Sequence, residues 1–126
     1  MKQLLIGLDF DKTIAYHDPA DSKPIKDMDV LPNLKSRVLN WIEQGHKIYL
    51  HTARAKDDVE INKLRKWLDA NGLEGIKKVT NKKIPGTDYY VDDGALKVEP
   101  NTGKLDYDPI TQDVESEIRK IAKGGH

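Results

Sequence analysis

The order of apolar and polar residues along the chain predicts alternating strands and helices. Apolar segments of strand length lie at 4–8, 46–52, 77–80 and 89–91. Over 32–44 and 56–70, apolar residues instead recur every three or four positions, which is the spacing of one helix face. The predicted order is therefore strand, helix, strand, helix, strand, strand.

The two predicted helices have recognisable ends. Gly45 follows the first helix and Gly72 follows the second, and glycine commonly ends a helix because it adopts a positive φ without strain. Acidic residues open the second helix, where they complement the positive end of the helix dipole. The expected inward faces consist of Leu34, Val38 and Ile42 in the first helix, and Ile61, Leu64 and Leu68 in the second.

The remaining segments are less regular. Residues 14–30 are polar and contain prolines, which predicts a loop or a small hairpin. Segments 96–98 and 104–107 flank Asn101-Thr102-Gly103 and indicate a further hairpin. A last helix is predicted after Thr111, a candidate N-cap, and its apolar face would contain Val114, Ile118, Ile121 and Ala122.

Alternating strands and helices are typical of α/β proteins, in which right-handed crossovers connect parallel strands. The 126 residues are enough for one hydrophobic core but not for two. We therefore expect one domain over 1–126, with 123–126 as a frayed tail. The predicted fold is a Rossmann-like, mainly parallel sheet with helices on both faces.

Composition narrows the classes of function. Lys and Arg together number 21, as do Asp and Glu, so no net charge draws the chain to nucleic acid or to an anionic membrane. The chain has no cysteine, which excludes disulfides, thiolate catalysis and cysteine-ligated zinc. The apolar run 4–8 is too short for a membrane span or a signal-peptide core. We expect a cytoplasmic protein without a membrane partner.

Polar residues suited to phosphate chemistry follow the predicted strands. They are Asp9 and Asp11 after the first strand, Thr52 at the end of the second, Lys82 and Lys83 after the third, and Asp92 and Asp93 after the fourth. Parallel strands bring their carboxyl ends to one edge of the sheet, where α/β proteins bind ligands. Carboxylates gathered there repel one another unless a cation lies among them, and oxygen-only ligands beside phosphate favour Mg²⁺. One aspartate of the first pair can attack phosphorus while the other transfers the proton.

The ordered set Asp9-x-Asp11-x-Thr13, Thr52, a lysine and Asp92-Asp93 resembles the haloacid dehalogenase-like (HAD) superfamily over residues 4–95. The resemblance implies that Asp9 is the nucleophile and also binds Mg²⁺. It implies that Asp11 is the general acid/base, with its backbone carbonyl on the metal. Thr52 and the lysine would hold the phosphoryl group.

The same resemblance indicates the reaction type. An aspartate two residues after the nucleophile, here Asp11, goes with phosphatases, whereas dehalogenases lack it. The connections 14–30 and 53–82 are too short for the cap domain that many relatives carry. The chain therefore resembles a capless HAD-type phosphoric monoester hydrolase.

Two positions within the resemblance have alternatives. We favour Lys83 over Lys82 as the catalytic lysine because it is nearer the turn into the fourth strand. Many relatives have Gly-Asp at the acidic pair, which favours Asp93 as the direct metal ligand. Asp92 would then bind the metal through water or lie just outside its ligand set.

Residues near the motifs also allow two interpretations. Arg54 either binds substrate or forms a salt bridge with Asp57 or Asp58. His17 either contacts substrate or, as we favour, is an exposed loop residue. A local basic cluster is either a solvated edge or an attractor of polyanionic substrate; it contains Lys77, Lys78, Lys82 and Lys83.

Two other classes of function compete with the phosphatase. A phospho-accepting receiver domain uses similar residues, but its phospho-aspartate follows the third strand, where this chain has none. A non-catalytic phosphate-binding module would share the fold without turnover. The substrate stays open between a nucleotide or sugar phosphate and a polynucleotide end, and another subunit of an oligomer can cover an uncapped site.

Overall fold

The computed structural model describes residues 2–92 and, beyond them, Asn101, residues 107–108, Ile110 and residues 113–114. The elements are β1 (Leu5–Leu8), a 3₁₀ helix (Ile25–Asp27), α1 (Pro32–Glu43), β2 (Lys47–His51), α2 (Asp58–Ala70), β3 (Lys78–Thr80), β4 (Tyr89–Val91), β5 (Tyr107–Asp108) and β6 (Asp113–Val114). The predicted order of strands and helices is confirmed up to residue 91.

Strands β1 to β4 form one parallel sheet in the order β3-β2-β1-β4. The register pairs Ile6 with Ile48 and Leu8 with Leu50, so their apolar side chains share one face. This arrangement confirms the predicted α/β class with a parallel sheet. Because all four strands run the same way, their carboxyl ends lie at one edge, which we call the carboxyl edge.

Both helices pack on the same face of this sheet. One core combines the strand residues Ile6, Leu8, Ile48 and Leu50 with Leu34, Val38 and Trp41 of α1 and Leu64, Trp67 and Leu68 of α2. Within residues 2–92 both helices therefore lie on one face. Most of the predicted closing helix is outside the described residues, so the coverage of both faces stays a prediction. The chain moves in one direction from β1 to β3, so two right-handed crossovers lie on the same side. The return to β4 spans only residues 81–88 and contains no helix.

The helix ends follow the sequence signals. Gly45 and Gly72 have φ values of 95° and 72°, as expected of glycines that end helices. At the start of α2, Asp57 acts as N-cap, and its Oδ1 accepts a hydrogen bond of 2.8 Å from the backbone N–H of Glu60.

Outside the main sheet, the predictions had mixed outcomes. Ala15 and Val30 form an antiparallel bridge, which confirms a small hairpin within 14–30. Residues 113–114 pair with 107–108 as β6 and β5, so the helix predicted from Thr111 is wrong at these two positions. Its remainder, the segment 96–98 and the tail 123–126 lie outside the described residues. No helix of the described part is long and apolar enough to cross a membrane.

Candidate active site

The first motif lies on a tight turn at the carboxyl end of β1. The carbonyl oxygen of Phe10 accepts from three successive backbone N–H groups, those of residues 13–15, at 3.3, 3.2 and 3.0 Å. The Phe10 ring is fully buried and anchors the turn between Asp9 and Asp11. Lys12 has a φ of 62°, in the left-handed region that costs a non-glycine residue about 1–2 kcal/mol. Local strain of this kind is common at functional sites.

Asp9 lies at the centre of the carboxyl edge. Its backbone N–H donates to the carbonyl oxygen of Val91 at 3.0 Å, so the β1–β4 ladder continues to the point where Asp9 and Asp92 leave their strands. The hydroxyl of Thr13 is 3.5 Å from Asp9 Oδ2 and is almost fully buried. Half-buried Asp9 is thus placed between a hydroxyl donor and the end of the neighbouring strand.

Asp11 is held by Arg54. The Arg54 Nε donates to both carboxylate oxygens of Asp11, at 3.0 and 2.9 Å, and its Nη2 is 2.8 Å from Oδ1. This hydrogen bonding raises the pKa of Arg54 above its ordinary value, which keeps the guanidinium charged. The arginine also lies over the Phe10 ring, 5.7 Å from the centroid. Arg54 forms no salt bridge with Asp57 or Asp58, the two partners considered from the sequence. The position of Arg54, two residues after Thr52, was the signal that its side chain faces the carboxyl edge.

His17 also approaches Asp11, which differs from its interpretation as an exposed loop residue. Its Nδ1 is 3.8 Å from Asp11 Oδ1, and its side chain is 21% exposed. The backbone N–H of His17 donates to the side chain of Asn101 at 3.1 Å, and the N–H of Asn101 donates to the Lys12 carbonyl at 3.0 Å. Asn101 therefore braces the motif turn, a role that nothing in the sequence indicated.

Thr52 presents its hydroxyl at the end of β2. The residue is 4% exposed, and its N–H extends the sheet by donating to the Thr80 carbonyl at 3.0 Å. Its Oγ1 accepts from the backbone N–H of Arg54 at 3.2 Å. The hydroxyl hydrogen has no acceptor among the described residues and can be donated to a bound oxyanion.

The two candidate lysines follow β3 and are both exposed. The Nζ of Lys83 lies 5.1 Å from the centroid of the Tyr90 ring. Neither Lys82 nor Lys83 is within ion-pair distance of a carboxylate in the described part of the chain. The structure therefore does not choose between them. The flanking Lys77 and Lys78 are exposed as well.

The donors available for a cation are oxygens. Within the part of the chain that the structure describes, no three His, Asp or Glu side chains lie close enough together to hold a metal ion. Asp93, the favoured direct ligand, is outside that part, whereas Asp92 follows β4 beside Asp9. The Asp11 side chain turns to Arg54, which suits a role for its backbone carbonyl instead. Asp9, the Asp11 carbonyl and the 92–93 pair fit a hard divalent ion such as Mg²⁺ in chemical type.

Comparison of the chain with protein-family models, with curated proteins and with solved structures found no match. Its function is therefore inferred from the residues at the carboxyl edge.

Proposed function

We propose that the protein is a Mg²⁺-dependent phosphatase that hydrolyses a phosphate monoester through a phospho-aspartate on Asp9. The supporting observation is the position of Asp9 on a central strand, between the end of β2 with Thr52 and the end of β4 with Asp92. Asp11 lies on the same turn and has a fixed partner in Arg54. In this proposal the domain has a HAD-like fold without a cap.

The reaction has two displacements at phosphorus. A carboxylate oxygen of Asp9 attacks phosphorus, and the bond from phosphorus to the ester oxygen breaks. Asp11 enters this step protonated, gives its proton to the departing alcohol, and is left as the carboxylate that pairs with Arg54. Water then attacks phosphorus and loses a proton to Asp11, and the bond from phosphorus to Asp9 breaks. Inorganic phosphate leaves, and both carboxyl groups return to their starting states.

The surrounding residues bind and orient the phosphoryl group. The Thr52 hydroxyl donates to one phosphoryl oxygen, and the ammonium of Lys83, or of Lys82, offsets its negative charge. Arg54 is a positioning residue that fixes the carboxylate of Asp11. Mg²⁺, held by Asp9, the Asp11 carbonyl, Asp93 and Asp92, would supply charge neutralisation as an anion approaches an anion.

The experiment that separates this proposal from its rivals uses Asp9 itself. Asp9→Asn should abolish hydrolysis of phenyl phosphate, and Asp11→Asn should slow it by roughly 10²-fold or more, because general acid/base catalysis contributes that much. The matched control is Asp69→Asn, which removes an exposed carboxylate at the far end of α2. It should leave the rate of phenyl phosphate hydrolysis unchanged. Beryllium fluoride should form an adduct on the Asp9 carboxylate and block turnover.

Stereochemistry tests the covalent step directly. Two in-line displacements give net retention at a chiral phosphorus transferred to an acceptor alcohol, whereas a single displacement by water or alcohol gives inversion. Inversion would contradict the phospho-aspartate. A long-lived phospho-Asp9 without turnover would favour the receiver-like domain, and phosphate binding without either would favour the non-catalytic module.

A further inference from the structure

A basic groove opens beside the proposed active site. It is a cavity of about 760 Å³ between α2 and the segment 23–27, and Arg54 forms part of its lining. The other charged residues of the lining are Lys23, Lys26, Glu60, Lys63 and Lys66. None of these four lysines belongs to the basic cluster recognised in the sequence, although the spacing of Lys63 and Lys66 on one helix was a signal for them.

The walls of the groove are fixed by the core. The indole N–H of Trp67 donates to the Met28 carbonyl at 2.8 Å, in a buried hydrogen bond that ties α2 to the chain just after the 3₁₀ helix. Ile25, at the start of that helix, is 6% exposed and packs into the core. A groove between two anchored elements is largely pre-formed, which lowers the entropic cost of binding.

The charge of the groove is strongly one-sided. The lining contains five basic side chains and one carboxylate, that of Glu60, which pairs with Lys63 at 3.1 Å. Arg54 is already paired with Asp11, which leaves three lysines of the lining. No carboxylate of the described residues lies within ion-pair distance of Lys23, Lys26 or Lys66. The chain as a whole has no net charge, so this concentration of cations is a local feature. Cations confined to a concave surface attract anions more strongly than the same cations spread over a flat one.

The groove is elongated and begins at the catalytic residues. Its lining follows α2 from Glu60 to Ala70, about 15 Å at the usual rise of an α-helix. Arg54 belongs both to this lining and to the pair with Asp11. A ligand in the groove therefore ends at the proposed general acid. Trp67 is buried, so the groove offers cations along its length rather than an exposed aromatic surface for base stacking.

We propose that this groove binds the repeating backbone phosphates of a single-stranded polynucleotide whose terminal phosphate is the substrate. The proposal rests on the proposed function of Asp9. A nucleoside monophosphate would contact none of the four lysines of the groove. A ligand with one further phosphate would contact one or two of them. A row of phosphodiesters matches cations on both walls of an elongated groove, and it leaves the bases without sequence-specific contacts.

The test compares substrates of increasing length. The substrates are phenyl phosphate, a nucleoside monophosphate, a nucleoside bisphosphate and tetranucleotides with a 3′- or 5′-phosphate. The nucleotide substrates are assayed in both DNA and RNA form. We expect kcat/KM to rise by tenfold or more from the monophosphate to the better tetranucleotide. The slope of log(kcat/KM) against log[salt] should steepen by about 0.7 for each phosphate contacted.

The double variant Lys63→Gln/Lys66→Gln locates the effect. It should remove most of the gain for the tetranucleotide, reduce the salt slope by about 1.4, and leave kcat/KM for phenyl phosphate within twofold of wild type. Lys2→Gln/Lys47→Gln is the matched control, because both lysines are exposed near the amino end of the sheet. Equal effects of the two double variants would overturn the proposal, as would a gain already complete with the nucleoside bisphosphate.

A binding measurement keeps the two proposals separable. The Asp9→Asn variant is titrated with the same tetranucleotide and with the nucleoside monophosphate in a calorimeter. Preferential binding of the tetranucleotide that disappears with Lys63→Gln/Lys66→Gln supports the groove even if no substrate is hydrolysed. Asp9-dependent hydrolysis of phenyl phosphate without any preference for the tetranucleotide would refute the groove and leave the phosphatase in place.

Discussion

At the scale of single residues, Asp9 and Asp11 have different surroundings, although only one residue separates them. The backbone N–H of Asp9 continues the hydrogen bonding between β1 and β4, whereas the Asp11 side chain is bound by the guanidinium of Arg54. Lys12, which follows Asp11, adopts a left-handed conformation in the same turn. In the proposed mechanism Asp9 supplies the attacking oxygen, and Asp11, which Arg54 holds, transfers the proton.

Arg54→Lys should reduce kcat for phenyl phosphate by about 10-fold to 100-fold, because a lysine keeps the charge but cannot hold both oxygens of Asp11. In the Asp11→Asn background the same change should have little further effect, since the arginine acts through that carboxylate. Arg65→Lys, which alters an arginine paired with Asp69 on the same helix, is the control. Independent, additive losses from Arg54 and Asp11 would mean that the arginine does not work by positioning.

At the scale of elements, the loop 81–88 connects β3 to β4 and carries Lys82 and Lys83, the two candidates for the catalytic lysine. Two hydrogen bonds join this loop to Tyr49 of β2, and a third lies within the loop. The N–H of Ile84 donates to the Tyr49 hydroxyl at 3.3 Å, Tyr49 and Thr87 share a bond of 2.7 Å, and the Thr87 hydroxyl donates to the Ile84 carbonyl at 2.6 Å. If Thr87 uses its hydrogen on Ile84, Tyr49 is the donor to Thr87. Burial raises the pKa of Tyr49, so the hydroxyl retains the proton that this ring of bonds requires.

Tyr49→Phe should lower the free energy of unfolding by about 1–2 kcal/mol, because it removes two of these bonds and leaves the N–H of Ile84 without its acceptor. The fold-decrease in kcat should be larger than the fold-change in KM for Mg²⁺, because the loop carries the lysine that is proposed to hold the phosphoryl group. Urea unfolding and steady-state kinetics measure the two effects. Tyr16→Phe, at a ring that is 46% exposed, should alter neither. Full activity with a loosened loop would show that no residue of 81–88 takes part in the chemistry.

The elements themselves were largely predictable, and the reasons are local. The apolar spacing of α1 and α2 and their terminal glycines appear in a single stretch of sequence, so their bounds agree with expectation within two residues. The placement of Asp9, Thr52 and Asp92 at one edge followed from the alternation of strands and helices. The side of the sheet on which each helix packs was not predictable in this way, because it depends on strand order, and β4 pairs with a strand more than 80 residues earlier.

Side-chain partners were the least predictable part of the site. Local spacing favoured Asp57 or Asp58 as the partner of Arg54, yet the structure pairs it with Asp11, 43 residues earlier. The basic groove was not predictable for the same reason, since Lys23 and Lys26 lie near Lys63 and Lys66 only after the chain has folded. Contacts of this kind follow from topology rather than from neighbouring residues.

At the scale of the whole molecule, a cation at the carboxyl edge would join the ends of β1 and β4. Mg²⁺ should therefore raise the unfolding temperature, with a gain of about 2.7 kcal/mol at 100 times its Kd. Hydrolysis should stop in excess chelator, and Ca²⁺ should inhibit it, because a larger ion with irregular coordination misplaces the Asp9 oxygen.

Variants of the acidic pair provide the control for this metal assignment. Asp93→Asn should weaken the stabilisation by Mg²⁺ more than Asp92→Asn, and the reverse ranking would exchange their roles. An unfolding temperature that Mg²⁺ leaves unchanged, together with activity in excess chelator, would contradict a metal at this edge.

The position of β1 between β2 and β4 also has a consequence for synthesis of the chain. A ribosome releases β1, α1, β2, α2 and β3 first, and with them Asp9, Asp11, Thr52 and the walls of the groove. Strand β4 pairs with β1 only after the last dozen residues of this sheet have been made, which takes about one second at ordinary rates of translation. The residues proposed to bind the phosphoryl group are therefore made before Asp92. The set proposed for hydrolysis is complete only when β4 has joined the sheet.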